Sequence, residues 1–430
     1  MTSKRTVRRN LGFVARFTSN GLFKRIEDPR STRGRRWKTP ASLLKAVLAG
    51  MVAGCKGLAE LEELTRQMPS SIRTQLSIPR RVPDTTVREF LCRLNVDQLV
   101  ELVEIVGYDA WRRKALHPLE GFPFGVLSMD GKYPSVRDTG DHPYLQVKHD
   151  EEGRAIHGSL RLITVSLVTA VGRPILGAIP VPKETNEMGT FGTAFTRMNR
   201  VYEGLFRLVM YDAGGASADN AETVLAGKKD YFFQIADTRW TMYQTIEMLM
   251  KDKAPVVCEE QIISSKRRVV RELSIISITP TAKNVTIWQH VRTAFKVRSR
   301  TYENDVLQHE DTRYYISSMD SSELSGSKWL QLIVLRWGVE TCHQILDIAF
   351  EEDERPWITS NANGALILML LRRVAYTILA LFKFVTMRFE DHEFVPWRKL
   401  MGFIMDALKW PNPIGDSFRP RKFAVPPAFV

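Results

Sequence analysis

Cysteine is scarce in this chain of 430 residues, and the four present, Cys55, Cys92, Cys258 and Cys342, stand far apart with no Cys-x-x-Cys pair. That excludes a disulfide-framed scaffold and a zinc ribbon or finger, and leaves reduced thiols in a cytosolic protein as the expectation. No apolar run of signal-peptide type accompanies the basic N-terminus, so no export signal is read there. Runs of membrane length are equally scarce. The nearest, "ALILMLLRRVAYTILALFKFV" at 365–385, carries Arg372 and Arg373 at its middle, where a charge costs about 2.5–3.5 kcal/mol in a bilayer. A buried helix is expected instead, and no membrane partner. Internal repeats are absent from the pattern.

Acidic excess is lacking too: 61 Lys and Arg face 48 Asp and Glu, a net charge of +13. Residues 1–40 hold twelve cations and two acids, so +10 of that charge sits in a basic arm and the remainder of the chain is nearly neutral. A polyanion is the partner such an arm predicts. With 44% hydrophobic residues the chain can bury a full core, and its length suggests two or three domains.

Behind the arm, "PASLLKAVLAGMVAGCKGLAELEELTRQM" and "VPDTTVREFLCRLNVDQLVELVEIVGYDAWRRKAL" have helical periodicity, with Asp84 or Thr85 and Asn95 as candidate caps. From Phe122 the pattern turns to short β-rich runs, "FGVLSMD", "SLRLITVSLVTA" and "PILGAIPVP". A helix, the strand "LFRLVMYDA", a second helix and the strand "YFFQIA" follow. Three strands, a helix, then strand, helix and strand is the order of a ribonuclease H-like α/β fold, a mixed sheet flanked by helices. The expected organisation is a basic arm at 1–40, an N-terminal helical domain at 41–118, a catalytic core at 119–238 and 328–390, a β-rich insertion at 239–327 and a proline-rich extended tail at 391–430.

Asp130 is read as closing the strand "FGVLSMD", and Asp212 as closing "LFRLVMYD" before Ala213-Gly214-Gly215. An Asp at the C-terminal end of a buried strand stands at the rim where α/β sheets bind ligands, although Asp and Gly are also ordinary strand terminators. The stretch "LRWGVETCHQILDIAFEEDERPW" reads as one amphipathic helix. Arg336, Glu340, Gln344, Asp347 and Glu351 share a polar stripe there, with His343 beside it and Leu335, Val339, Cys342, Leu346 and Ala349 opposite. Two strand-end carboxylates and one from a helix make a hard oxygen set for two Mg²⁺ or Mn²⁺ ions roughly 3.5–4 Å apart.

"SMDGK", "YDA", "DYFF", "VRSR", "RYYISSM" and "RWGVETCHQILDIAFEED" together resemble the DDE transposases of bacterial insertion sequences, of the H-repeat-associated type. The resemblance runs from about Ala41 to Lys383. It implies that Asp130, Asp212 and Glu340 are catalytic and bind the metal. It also implies that the partners are terminal inverted repeats and target DNA, that a homodimer forms in the synaptic complex, and that the protein works at the bacterial nucleoid in the cytoplasm. The wider superfamily carries a Tyr, Arg, Glu and Lys signature on the Glu helix. Here Arg336 and Glu340 keep its spacing, Ile333 takes the Tyr position and Asp347 the Lys position. The family's Ser-Asn-Glu appears stretched as Lys183-Glu184-Thr185-Asn186-Glu187, and Ala236-Asp237-Thr238-Arg239 replaces its Lys-x-Asn-Gln.

DNA contacts are expected from Arg336, Lys132 and the arm residues Arg8, Arg9, Arg35 and Arg36, whose neighbours Phe13, Phe17, Phe23 and Trp37 suit stacking or packing. His343, Asp347 and Trp337 are accessory candidates, each of which could instead only pack or be solvated. Two rival functions use the same features: a ribonuclease H-like nuclease or resolvase that releases cut DNA without joining it, and a catalytically silent DNA-binding remnant of a mobile element.

Overall fold

A computed structural model of the chain describes residues 4–17, 20–31, 38–278, 288–387, 394–410 and 423–429. Helices come first: α1 (Lys4–Phe17), α2 (Pro40–Val52), α3 (Leu58–Gln67), α4 (Ser70–Leu76), α5 (Asp84–Leu91) and α6 (Val96–Arg112). Strands follow: β1 (Val126–Lys132), β2 (Ser135–Val136), β3 (Leu145–His149), β4 (Ala155–Leu160), β5 (Leu162–Leu167) and β6 (Ile175–Pro180). The elements then alternate through α7 (Glu187–Tyr202), β7 (Leu208–Tyr211), α8 (Ala218–Ala226), β8 (Asp230–Ile235) and α9 (Thr241–Met250). Four longer strands, β9 (Val257–Ser264), β10 (Arg267–Ser277), β11 (Thr293–Glu303) and β12 (Val306–Ser317), precede α10 (Gly326–Arg336), α11 (Gly338–Ala349), α12 (Ala362–Leu381) and α13 (Trp397–Leu408).

The chain divides into two compact units, one of residues 1–117, 131–186 and 340–430, the other of residues 118–130 and 187–339. These boundaries cut across the expected domains, because the N-terminal helices pack with the C-terminal ones. In the first unit α12 is the central element, packed on α2, α5 and α6. Asn361 starts it, its side-chain oxygen accepting from Gly364 N at 2.8 Å, and with the π turn that follows it is long and apolar enough to span a membrane. Its apolar window is entirely buried, as the two arginines at its middle predicted. Asn95 caps α6 through Asp97 N and Gln98 N, whereas Asp84 lies inside α5, with Pro83 in the cap position and no side-chain cap.

The basic arm is folded over much of its length. Val7, Leu11 and Val14 recur at helical spacing on α1 and are buried; α1 packs on α13, and Phe13 meets Phe382 at 4.5 Å. Apolar burial, not charge, therefore places α1. The expected extended tail is likewise partly helical: α13 buries Leu400, Met401, Ile404, Ala407 and Leu408.

In the second unit β1 pairs in parallel with β7, and β7 with β8, which α8 joins as a strand-helix-strand crossover. Beyond β8 the pairing turns antiparallel: β12, β11, β10 and β9 follow in that order, starting from Tyr314 opposite Ile235. The expected insertion is therefore not a separate domain. Its strands extend the same mixed sheet, and the apolar side chains of β8, β11 and α10 form one aromatic core, with Phe232, Phe295 and Trp329 rings 4.8–5.9 Å apart. Helices α7, α8, α9 and α10 flank this sheet.

Candidate active site

The parallel register pairs Val126 with Leu208, Leu127 with Val209 and Ser128 with Met210. Two residues further along, the same register sets Asp130 beside Asp212, on strands that run about 4.8 Å apart. β1 continues to Lys132, so Asp130 lies inside the strand end, while Asp212 is the first residue after β7. Both are half-buried. The Asp212 carboxyl is pushed above the usual carboxylate range, first by burial and then by the charge of Asp130. The amides of Gly214 and Gly215 and the charge of Arg336 act against that rise. Gly214 N donates to Asp212 Oδ1 at 2.9 Å. Two like charges on hard oxygen donors, partly withdrawn from water, form an arrangement that a divalent cation relieves, so the residues present fit Mg²⁺ or Mn²⁺. Among the described residues no group of three or more His, Cys, Asp or Glu side chains stands together as a metal cluster.

The turn after Asp212 demands glycine for a spatial reason. A Cβ at Gly215 would fall 1.3 Å from Cδ1 of Tyr211, a fully buried ring packed 5.3 Å from Phe191. Gly215→Ala should therefore cost about 1–3 kcal/mol in stability through overpacking and displace the Asp212 turn. Thermal melting checks the stability effect; a variant that melts like the parent would show that Tyr211 yields freely.

The helix expected from Leu335 to Trp357 is two helices. α10 ends at Arg336, Trp337 takes the cap position at φ −69°, ψ 0°, and α11 restarts at Gly338. Arg336 is not on a solvated stripe: it is 3% exposed, its charge acts on Asp212, and its carbonyl accepts from Ser128 Oγ at 3.0 Å. Its guanidinium lies 5.6 Å from the Trp337 ring centre. Trp337 thus packs within the second unit as well as facing Arg336. The second unit brings together Asp130, Asp212, Arg336 and Trp337.

Glu340 begins the returning segment of the first unit, exposed in the first turn of α11. His343, expected beside a polar stripe, is buried, and so is Glu351, which follows α11 with φ +51°. Lys132 is not open to a phosphate: its ammonium lies 2.7 Å from both oxygens of Asp347 and 2.6 Å from Asp353 Oδ2. The acid at the family's Lys position is therefore the partner of this lysine. Arg9 sits over the Phe382 ring at 5.9 Å. Arg8 lies on α1, and Arg35 and Arg36 fall outside the described residues.

Sequence reasoning missed Arg313. Its guanidinium lies 5.2 Å from the Trp337 ring centre, and it faces the Tyr315 hydroxyl together with Arg336. The signal was alternation in "DTRYY", which puts Asp311, Arg313 and Tyr315 on one strand face.

Residues 21–104 match the family model described as DDE_Tnp_1-associated. No curated protein matches the chain. Among solved structures, the cryo-EM structure of the piggyBac transposase synaptic complex with hairpin DNA is similar at a TM-score of 0.44 and 11% identity, over 93% of this chain and 77% of that chain.

Proposed function

We propose that the chain is a DDE transposase of the H-repeat-associated insertion-sequence type, with a ribonuclease H-like core, which hydrolyses phosphodiester bonds at element ends and joins the 3′-OH to target DNA. The observation that carries the reading is the pair Asp130 and Asp212 on register-matched ends of neighbouring parallel strands, with like charges that oppose each other. The transposase-associated match at residues 21–104 and the motif resemblance support it.

In this mechanism Asp130, Asp212 and Glu340 are the catalytic carboxylates. Two Mg²⁺ or Mn²⁺ ions held by them would activate the attacking oxygen and neutralise charge on the leaving one. The protein's own contribution is positioning. The Gly214 amide fixes the Asp212 carboxyl by a hydrogen bond, and the Gly215 amide and the buried Arg336 act against the rise that burial and Asp130 impose on it, so little reorganisation is left for the reaction itself. Ser128, by fastening the end of α10, keeps Arg336 at that station. DNA ends bound by two copies of the chain would be the substrate of a synaptic complex.

The test is an in vitro reaction with duplexes carrying the inverted repeats that flank the gene, Mg²⁺, and a supercoiled target plasmid. Free 3′-OH ends and joined products are expected. Cleavage without joining would assign a nuclease or resolvase instead, and DNA binding without metal-dependent cleavage would mark a silent remnant; either result overturns the proposal.

A further inference from the structure

Arg336 was expected to grip DNA, but its burial removes it from that role and raises the question of which cation near the two aspartates meets a phosphate. Resting on the reading above, we propose that Arg313, on β12, is that cation: the residue that takes hold of the DNA backbone next to the Asp130–Asp212 pair.

Four observations lead to it. Arg313 shares its surroundings with Arg336, since both guanidinium groups lie on the Trp337 ring, at 5.2 and 5.6 Å, and both face the Tyr315 hydroxyl. Arg336 in turn acts on Asp212, so Arg313 belongs to the same neighbourhood. The two differ in exposure: Arg336 is 3% exposed, whereas the side chain of Arg313 is 37% exposed. Finally, Arg313 is oriented. Asp311, two residues back on the same strand face, accepts from its Nε at 2.6 Å, while the ring of Trp337 supports its plane. A guanidinium has five N–H donors in a fixed fork, more than Asp311 and Tyr315 can use, and a fork held at one edge and stacked on a ring is pre-organised for the paired oxygens of a phosphate.

Division of labour between the two arginines follows. Arg336 is the inner counter-charge that steadies Asp212; Arg313 is the outer contact that meets the substrate. A lysine at 313 would keep the charge and lose the fork and most of the stacking.

The experiment measures binding of end-containing and random-sequence duplexes at several salt concentrations, by fluorescence anisotropy, for the full-length protein and for Arg313→Ala and Arg313→Lys. Removing one phosphate contact lowers the magnitude of the slope of log K against log salt by about 0.9, so Arg313→Ala should show that decrease on both duplexes, with several-fold weaker binding and an unchanged melting temperature. Arg313→Lys should restore the slope but not the full cleavage rate. In the parent, duplex addition should perturb Trp337 emission; in Arg313→Ala that response should shrink. If Arg313→Ala melts early, Arg313→Gln, which retains a polar stem over the ring, carries the same measurement. An unchanged slope in a folded variant overturns the assignment while leaving the transposase reading standing. The reading itself fails on a different result, the absence of metal-dependent cleavage and joining by the parent protein.

Discussion

Asp212→Asn is expected to abolish strand cleavage and at the same time to raise the melting temperature of the metal-free protein at neutral pH. The activity loss should be on the order of a thousandfold or more, as when a preorganised charged group is taken from a reacting centre, with duplex binding retained. The stability gain follows from the direction of the pKa shift. Burial and Asp130 hold the Asp212 carboxyl above its ordinary value, so the fold favours the protonated form. Below the ordinary carboxylate range the group is neutral in both folded and unfolded chains and costs nothing. As pH rises through the ordinary range and then through the raised folded value, the folded protein must ionise a carboxyl it disfavours, and stability is lost. Asparagine removes that loss, so the difference between variant and parent should be nil in acid and reach a plateau near neutrality, about 0.5–2 kcal/mol as for other strained functional groups. Adding Mg²⁺ reverses the order: a ligand that binds only the folded state at 100 times its Kd contributes about 2.7 kcal/mol, and only the parent should gain it. Melting curves across pH, with and without Mg²⁺, read all three effects. If the variant melts below the parent without metal, the two carboxylates do not repel, and their assignment as a metal pair falls with that result.

The carboxylate pair was legible in the sequence because a strand-end Asp before small residues is a local signal, and the parallel register of β1 and β7 then fixes which two meet. The break between α10 and α11 was not legible. Leu335, Val339, Cys342 and Leu346 are all buried as one continuous helix would bury them, so the apolar period runs through Trp337 and Gly338 without a trace of the turn. The polar stripe misled for the same reason: a wheel drawn through a broken helix assigns Arg336 to solvent, and the chain puts it inside.

Charge counting also hid structure at both ends. Twelve cations in residues 1–40 drew attention from Val7, Leu11 and Val14, whose spacing marked an amphipathic helix, and the prolines after Pro411 drew it from Leu400, Met401, Ile404 and Leu408. Lys132 and Asp347 show a gap of another kind. Each is readable alone, one as a surface cation and the other as an acid in a lysine's place. Their ion pair is a tertiary fact, joining positions far apart in the chain. The β-rich insertion expected at 239–327 holds helix α9 as well as β9 to β12, and nothing local says that β12 will pair with β8; edge pairing is decided by which strand is left open.

Glu352→Ala should be among the most destabilising substitutions in the first unit, at about 3–5 kcal/mol, the cost of stranding a buried charge, or on the order of 10 °C in melting temperature. The arginines at the middle of α12 make it so. Arg373 is 0% exposed and pairs through Nη1 with Glu352 Oε1, while also donating to Met369 O at 3.1 Å. Arg372, equally enclosed, donates to Arg355 O at 3.0 Å and lies 4.0 Å from the same carboxylate. Glu352 is itself 1% exposed, so one carboxylate serves two enclosed cations. Its removal takes from Arg373 the carboxylate it pairs with and leaves Arg372 with the charges of Asp353 and Asp347, inside a helix whose side chains are mostly apolar. Glu352→Gln should be intermediate, keeping an acceptor without the charge. The double replacement Glu352→Leu with Arg373→Met should recover most of the loss, because paired removal of charges in an apolar site is close to neutral. That recovery separates a broken ion cluster from a mere packing defect: if the double variant melts as low as Glu352→Ala, the loss comes from lost volume at position 352, and the arginines of α12 are neutralised elsewhere.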